Sequence, residues 1–183
     1  MKLNYKKMSK FAMLLILSAI IATVSASTYY SMFMTANIGV SGENKIFFTP
    51  GNDWGSSTMG DGNQTVTLSL TGRNGTATVV GDPVRIRNTD TVSHDINLKL
   101  DSWNGESQTQ LNYINITLYN SYPIGGTAQG TTIYLVPGAG DVTETTTVSL
   151  TNGAIWRVQW IIYWKSTASS ETVVVNLKLE ITS

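Results

Sequence analysis

The chain contains no cysteine, and among its 183 residues there is a single histidine, His94. The first absence excludes disulfide staples, so stability has to come from burial, strand ladders and neighbouring subunits. Together the two absences leave the common zinc sites, and the Cys/His and Ser/His nucleophile arrangements, without their usual members. Charge is scarce as well. Twelve basic and 12 acidic residues sum to zero, which gives no basic field for nucleic acid and no acidic tail, and the only lysine cluster lies at the extreme N-terminus. After residue 26, no stretch carries apolar residues at helical spacing for the length a helix needs. Thr, Ser, Asn and Gly fill the remainder, a usage that disfavours helices and suits strands and turns. The length fits one domain with a sizeable core, and neither a repeat of fixed period nor a dividing linker is visible.

The N-terminus reads as an export address. Lys2, Lys6, Lys7 and Lys10 precede an uncharged run over 11–24, and V-S-A-S at 24–27 supplies small residues. A positive n-region, a short apolar h-region and a V-x-A pattern make a secretory signal peptide ending at Ala26, whereas a membrane-spanning helix needs ~20 apolar residues. The rival reading is a pilin-type leader cut at about Ser9 to Phe11, with residues 11–26 kept as a filament-core helix. Either way the protein is expected outside the cytoplasm, secreted or at the cell surface, with membrane contact only during export.

The mature chain is a series of short alternating runs bounded by Gly, Asn, Asp and Pro. Strands are predicted at 44–49, 64–70, 76–80, 84–88, 95–100, 113–119, 132–136, 145–150, 155–164 and 172–181, with loops at 50–63, 101–112, 120–131 and 137–143. With the opening stretch that makes about eleven strands, the spacing of an all-β antiparallel jelly-roll sandwich. The predicted organisation is a leader (1–26), an extended N-terminal strand (27–40) and a jelly-roll domain (41–183). Trp156, Val158, Trp160, Ile162 and Trp164 share one face of their strand, and Val173, Val175, Leu177, Leu179 and Ile181 share one face of the next. In-line tryptophans can form a sugar platform, but the Val and Ile between them assign this face to the core. Trp54 and Trp103, in loops, are the better sugar-binding candidates.

Little here suggests catalysis. His94, in T-V-S-H-D, reads as a turn residue before a strand. Asp53, Asp61 and Asp82 lie in Gly-rich turns, and D-G-N-Q-T at 61–65 resembles part of a calcium loop without its terminal Glu, so Asp53 and Asp61 are the calcium candidates. No spacing selects a carboxylate pair for glycoside hydrolysis. Neither an enzyme nor a cofactor is expected. Three Asn-x-Ser/Thr sequons, at Asn63, Asn74 and Asn115, are glycosylation candidates, and N-G at Asn74 is also a turn signal.

The stretch S-T-Y-Y-S-M-F-M-T-A-N-I-G-V (27–40) puts Tyr30, Met32, Met34, Ala36, Ile38 and Val40 on one side of an extended chain, with no hairpin partner close by. Extended, it spans ~46 Å, more than the ~37 Å diameter of a compact body of the remaining residues. It can therefore reach a neighbour. Burial of its apolar side alone does not offset the entropy of ordering its backbone, so it belongs inside a sheet with a full ladder of hydrogen bonds. If that sheet is its own, the protein is a self-sufficient secreted sandwich. If it is the next subunit's, the contact is head-to-tail, does not close, and makes a fibre. Near-neutral, Thr/Ser/Asn-rich surfaces would let such fibres bundle laterally.

The stretch V-R-I-R-N-T-D-T-V-S-H-D-I-N-L-K-L (84–100) resembles the "N-t-G-t" β-arch of the TasA/camelysin family of biofilm-matrix fibre proteins. Y-L-V-P-G-A-G-D-V-T (134–143), W-R-V-Q-W-I-I-Y-W (156–164) and V-V-V-N-L-K-L-E-I (173–181) resemble its closing turn and final strands, and archaeal bundling pili are relatives of this kind. The resemblance implies a jelly-roll subunit whose N-terminal strand is donated to the adjacent identical subunit, building extracellular fibres of the biofilm matrix. Asp90 stands where the family often has Gly, and no metal motif supports camelysin-like proteolysis. The expected function is a filament subunit joined by residues 27–40. The alternatives are a type IV-like pilin that retains its hydrophobic helix and a secreted carbohydrate-binding module.

Overall fold

A computed structural model describes residues 31–41, 45–105, 109–168 and 172–182. The predicted leader, the retained-helix alternative and Tyr30 lie outside these residues. The described chain runs through β1 (Ser31–Ser41), β2 (Ile46–Pro50), β3 (Thr58–Gly60), a short 3-10 turn (Asp61–Asn63), β4 (Thr65–Arg73), β5 (Ala77–Asn88) and β6 (His94–Trp103). It continues through β7 (Leu111–Tyr119), β8 (Ala128–Val136), β9 (Ala139–Val142), β10 (Val148–Leu150), β11 (Ile155–Trp164) and β12 (Thr172–Thr182). These form two six-stranded sheets, ordered β10-β6-β12-β1-β4-β3 and β2-β5-β11-β7-β8-β9.

The order is that of a jelly roll with four strands added, three of them (β2, β3 and β9) at sheet edges and one, β1, inside a sheet. Setting aside β1, β2, β3 and β9, the remaining eight strands pass from sheet to sheet at every step except β7 to β8, as two interlocked Greek keys. In one sheet β12 lies beside β6 and β6 beside β10; in the other β5 pairs β11, β11 pairs β7 and β7 pairs β8. The first and last of the eight, β4 and β12, complete the set, and β1 lies between them. It runs antiparallel to β4 and parallel to β12, the one parallel ladder among the described strands. A parallel pair cannot be closed by a hairpin, and β1 and β12 stand at opposite ends of the described chain.

Alternation builds the core where the sequence places it. Trp156, Val158, Trp160, Ile162 and Trp164 are all buried, as are Val173, Val175, Leu177 and Leu179, with Ile181 partly so. Trp160 and Trp164 are fully buried and their indole N–H groups have no partner, so these rings serve packing and not stacking on a ligand. Gly72 lets the chain lie against Trp164, because a Cβ there would meet the ring's Cδ1 and Nε1 at 2.8 Å.

Besides β6 and β8, which run on through 101–103 (with Trp103 as the last residue of β6) and 128–131, segments expected to be loops, three expectations need correction. The strands predicted at 76–80 and 84–88 are one strand, β5, whose pairing with β11 shifts register between Val158 and Trp160. Gly81-Asp82-Pro83 is therefore a bulge and not a turn, and Asp82 lies buried within β5. Proline interrupts a ladder because it has no N–H, and the Asp53 carboxylate takes up the amides of Gly81 and Asp82 at 3.0 and 2.9 Å. The other two corrections are β3 and β9, short strands at the sheet edges inside segments expected to be loops.

Candidate functional site

The strand added inside the sheet, β1, defines the site. On its inner side Met32, Met34, Ala36 and Ile38 are buried to 1% exposure or less, which is the face expected from the alternation of the sequence. Ala36 faces Leu68 of β4 on one side and Val175 of β12 on the other; Met34 lies between Leu70 and Val173. Met34, Ala36 and Ile38 each lie between one Leu and one Val of the flanking strands. In the single chain β1 thus fills a slot in its own sheet, and Val40 pairs with Leu179 at its far end.

On the outer side a chain of side-chain hydrogen bonds crosses four adjacent strands. Thr67 Oγ1 donates to Asn37 Oδ1 at 2.8 Å, Asn37 Nδ2 donates to Asn176 Oδ1 at 2.8 Å, and Asn176 Nδ2 donates to Ser102 Oγ at 2.8 Å. The Asn37 amide thus donates to one neighbour through its nitrogen and accepts from the other through its oxygen.

Beyond Ser41 the chain crosses to the other sheet, where β2 begins at Ile46. The near end of that crossing is anchored. The backbone N–H and the hydroxyl of Thr89 both donate to Lys45 O at 2.9 Å. Lys45 Nζ reaches Asp90 Oδ1 at 3.0 Å, and His94 Nε2 lies 2.8 Å from Asp90 Oδ2. The His94 contact, then the Lys45 ammonium, hold the Asp90 carboxyl well below the usual carboxylate range, at about 2. Asn88 secures the same turn, its Nδ2 donating to the carbonyls of Val92, Leu150 and Thr151 and its Oδ1 accepting from the Asp90 amide. His94 is the first residue of β6 and buried, and Asp90 is the acid that holds it.

The other sequence candidates lie elsewhere. Trp54 and Trp103 are partly buried and pack against the core; Gly105 lies so close to the Trp103 ring that a Cβ would fall 2.0 Å from Cζ3. Asp53 directs a carboxylate oxygen to the β5 bulge, and the side chain of Asp61 lies outside the described atoms. Among the described residues no three His, Cys, Asp or Glu side chains gather as a metal site. Asn63 is exposed, with φ of 68°, at the end of the 3-10 turn. Asn74, between β4 and β5, donates its amide to Ser166 O at 3.2 Å. Asn115 sits mid-strand in β7, between Tyr134 and Ile161, with its Oδ1 buried.

A residue the sequence reading passed over is Arg157, a buried cation in β11. It lies over the Tyr119 ring at 4.1 Å and donates to Gly81 O at 2.7 Å and Gly125 O at 3.1 Å, tying the β5 bulge to the loop after β7. Asp82 grips Arg85 in a forked pair, which pushes the guanidinium pKa further above its ordinary value. A cleft of about 340 Å³ opens beside these groups, with Ile124 largely exposed on its rim. The alternation of R-V-Q-W placed position 157 on the outer face, but its partners lie 76 and 32 residues away and leave no local mark.

No family model matches the chain, and no curated protein matches it.

Proposed function

We propose that this protein is the subunit of an extracellular filament in which β1 leaves its own slot and fills the equivalent slot of the next molecule. The observation that carries the reading is the position of β1. It is supernumerary to an eight-strand jelly roll, it lies between that fold's first and last strands, and it joins the remaining described strands through the short crossing to β2. Cleavage after Ala26 would leave only residues 27–30 ahead of it. Exchange breaks and remakes the same ladder and the same burial, so closed monomer and open chain differ mainly in the crossing segment and in the concentration of partners. Every molecule then gives one strand and receives one, a head-to-tail contact that propagates. The TasA/camelysin resemblance points the same way.

A second reading has its own support: the slot is already filled within one chain, as a self-sufficient secreted sandwich requires. The two separate experimentally. Mature protein starting at Ser27 should form threads visible by electron microscopy, whereas a chain lacking 27–38 should not. Equal fibre formation by the shortened chain would refute the proposal. Because that deletion can compromise folding, a second variant is needed. Thr35→Cys with Val174→Cys joins two residues opposite each other in the ladder; oxidised while monomeric it should block fibres, and reduction should restore them.

A further inference from the structure

We infer that Asn37 is the register and specificity determinant of the slot. The apolar inner face alone permits the strand to slide by two residues, because a two-residue shift returns every side chain to its own face. Two features oppose sliding. A shift would bring Met34 or Ile38, both larger, to the fully buried place of Ala36. It would also bring Thr35 or Gly39 to the place of Asn37, between Thr67 and Asn176. Glycine offers no polar side chain, and threonine would have to accept and donate through a single oxygen on a shorter stem, where the amide turns a separate oxygen and nitrogen to the two walls.

The chain of bonds has a direction: Ser102 accepts from Asn176, Asn176 from Asn37, and Asn37 from Thr67. Three of the four partners belong to the slot before any strand enters, on β4, β12 and β6. The slot therefore presents a donor hydroxyl on one wall and an acceptor amide on the other, and a primary amide at that depth meets the first with its oxygen and the second with its nitrogen. An alternating apolar segment without it fits the inner face and leaves both walls unmatched. This is the use of a single half-buried asparagine to fix alignment, a device that coiled coils also use. As a rule for choosing which strands assemble, the inference rests on the exchange reading; as a rule for register, it stands in the closed monomer too.

The test uses the full mature chain. Asn37→Val raises intrinsic strand preference, so without a register role it should leave folding unchanged or slightly improved. The amide chain instead requires a loss of about tenfold in the folding equilibrium constant. It also requires a second set of backbone amide signals for β1 and its neighbours, with cross-strand contacts displaced by two residues. Asn37→Val and Asn176→Val should each lose about tenfold, and the double variant far less than the hundredfold of independent sites. A single unshifted register in Asn37→Val, whatever its stability, or fully multiplicative losses, overturns the inference. For selectivity, equal amounts of wild-type and Asn37→Val chains are co-polymerised and the fibres weighed by mass spectrometry. Wild type should predominate severalfold, and equal incorporation overturns the selectivity claim. If wild-type chains make no fibres at all, the exchange reading falls, while the register result from the monomer is decided separately.

Discussion

Met34→Ala tests whether the hold of the slot on β1 is packing, and whether release of that strand limits assembly. Met34 is 1% exposed and lies between Leu70 and Val173 in the centre of its sheet. Truncation removes the thioether arm from a buried layer, a change that costs about 2–5 kcal/mol. Urea unfolding of the mature monomer reads that loss directly. The same contact exists in the closed and the exchanged states, so the monomer–fibre balance should move little. The rate should move more. Opening requires β1 to leave the slot, and each ~1.4 kcal/mol of lost hold is worth up to a tenfold faster release. Strand exchange, followed by mixing isotopically labelled and unlabelled subunits, should accelerate by at least several-fold. A destabilised variant that exchanges at the wild-type rate would show that β1 is not the moving element; a loss below ~0.5 kcal/mol would show that the slot is not tightly packed.

Other consequences follow from the same contacts. Asp90 has its carboxyl pKa lowered to about 2 from an ordinary 3.8, so its share of stability is present above about pH 4 and is lost as pH falls toward 2; Asp90→Asn should flatten the stability profile over that window, as read by denaturant midpoints. Gly72→Ala should cost about 1–3 kcal/mol through overpacking against Trp164, with a change in near-ultraviolet circular dichroism as the ring shifts. Arg157→Ala should destabilise by about 2 kcal/mol or more, because the carbonyls of Gly81 and Gly125 lose their donor; thermal melts check it. Trp54→Ala and Trp103→Ala should lower stability without changing glycan-array binding, and selective loss of a glycan signal would instead favour a carbohydrate-binding role.

How much was legible depended on how local the cause was. The faces of β11 and β12 were readable because alternation of Trp, Ile, Val and Leu over ten residues has a single solution on a half-buried strand. The inner face of β1 was readable for the same reason. The Gly-Asp-Pro break in β5 misled because those residues ordinarily end strands; what keeps the strand going is Asp53, 28 and 29 residues away, which takes up the displaced amides. β3 and β9 were missed because three or four residues in Gly-rich segments carry too little pattern to register. The Asn37–Asn176 contact spans 139 positions, and the Lys45–Asp90 contact 45. Polar pairs of that kind have no periodicity and become visible only when the topology is known. The strand order likewise had no local signature, so the splitting of β4 from β12 by β1 emerged only in three dimensions.

The central claim is that β1 occupies a neighbour's slot in the assembled protein, and the absence of native cysteine allows a direct measurement. Two mature chains are prepared, one with Thr35→Cys and one with Val174→Cys, positions paired across the slot, and are mixed as monomers, left to assemble and then mildly oxidised. Covalent pairs of one chain of each kind should form in high yield, and a control mixture of Thr35→Cys with Lys178→Cys, which lies opposite Gly39, should give few. If the matched chains assemble into fibres yet cross-link no better than the control, β1 has stayed in its own molecule and the filament is built some other way.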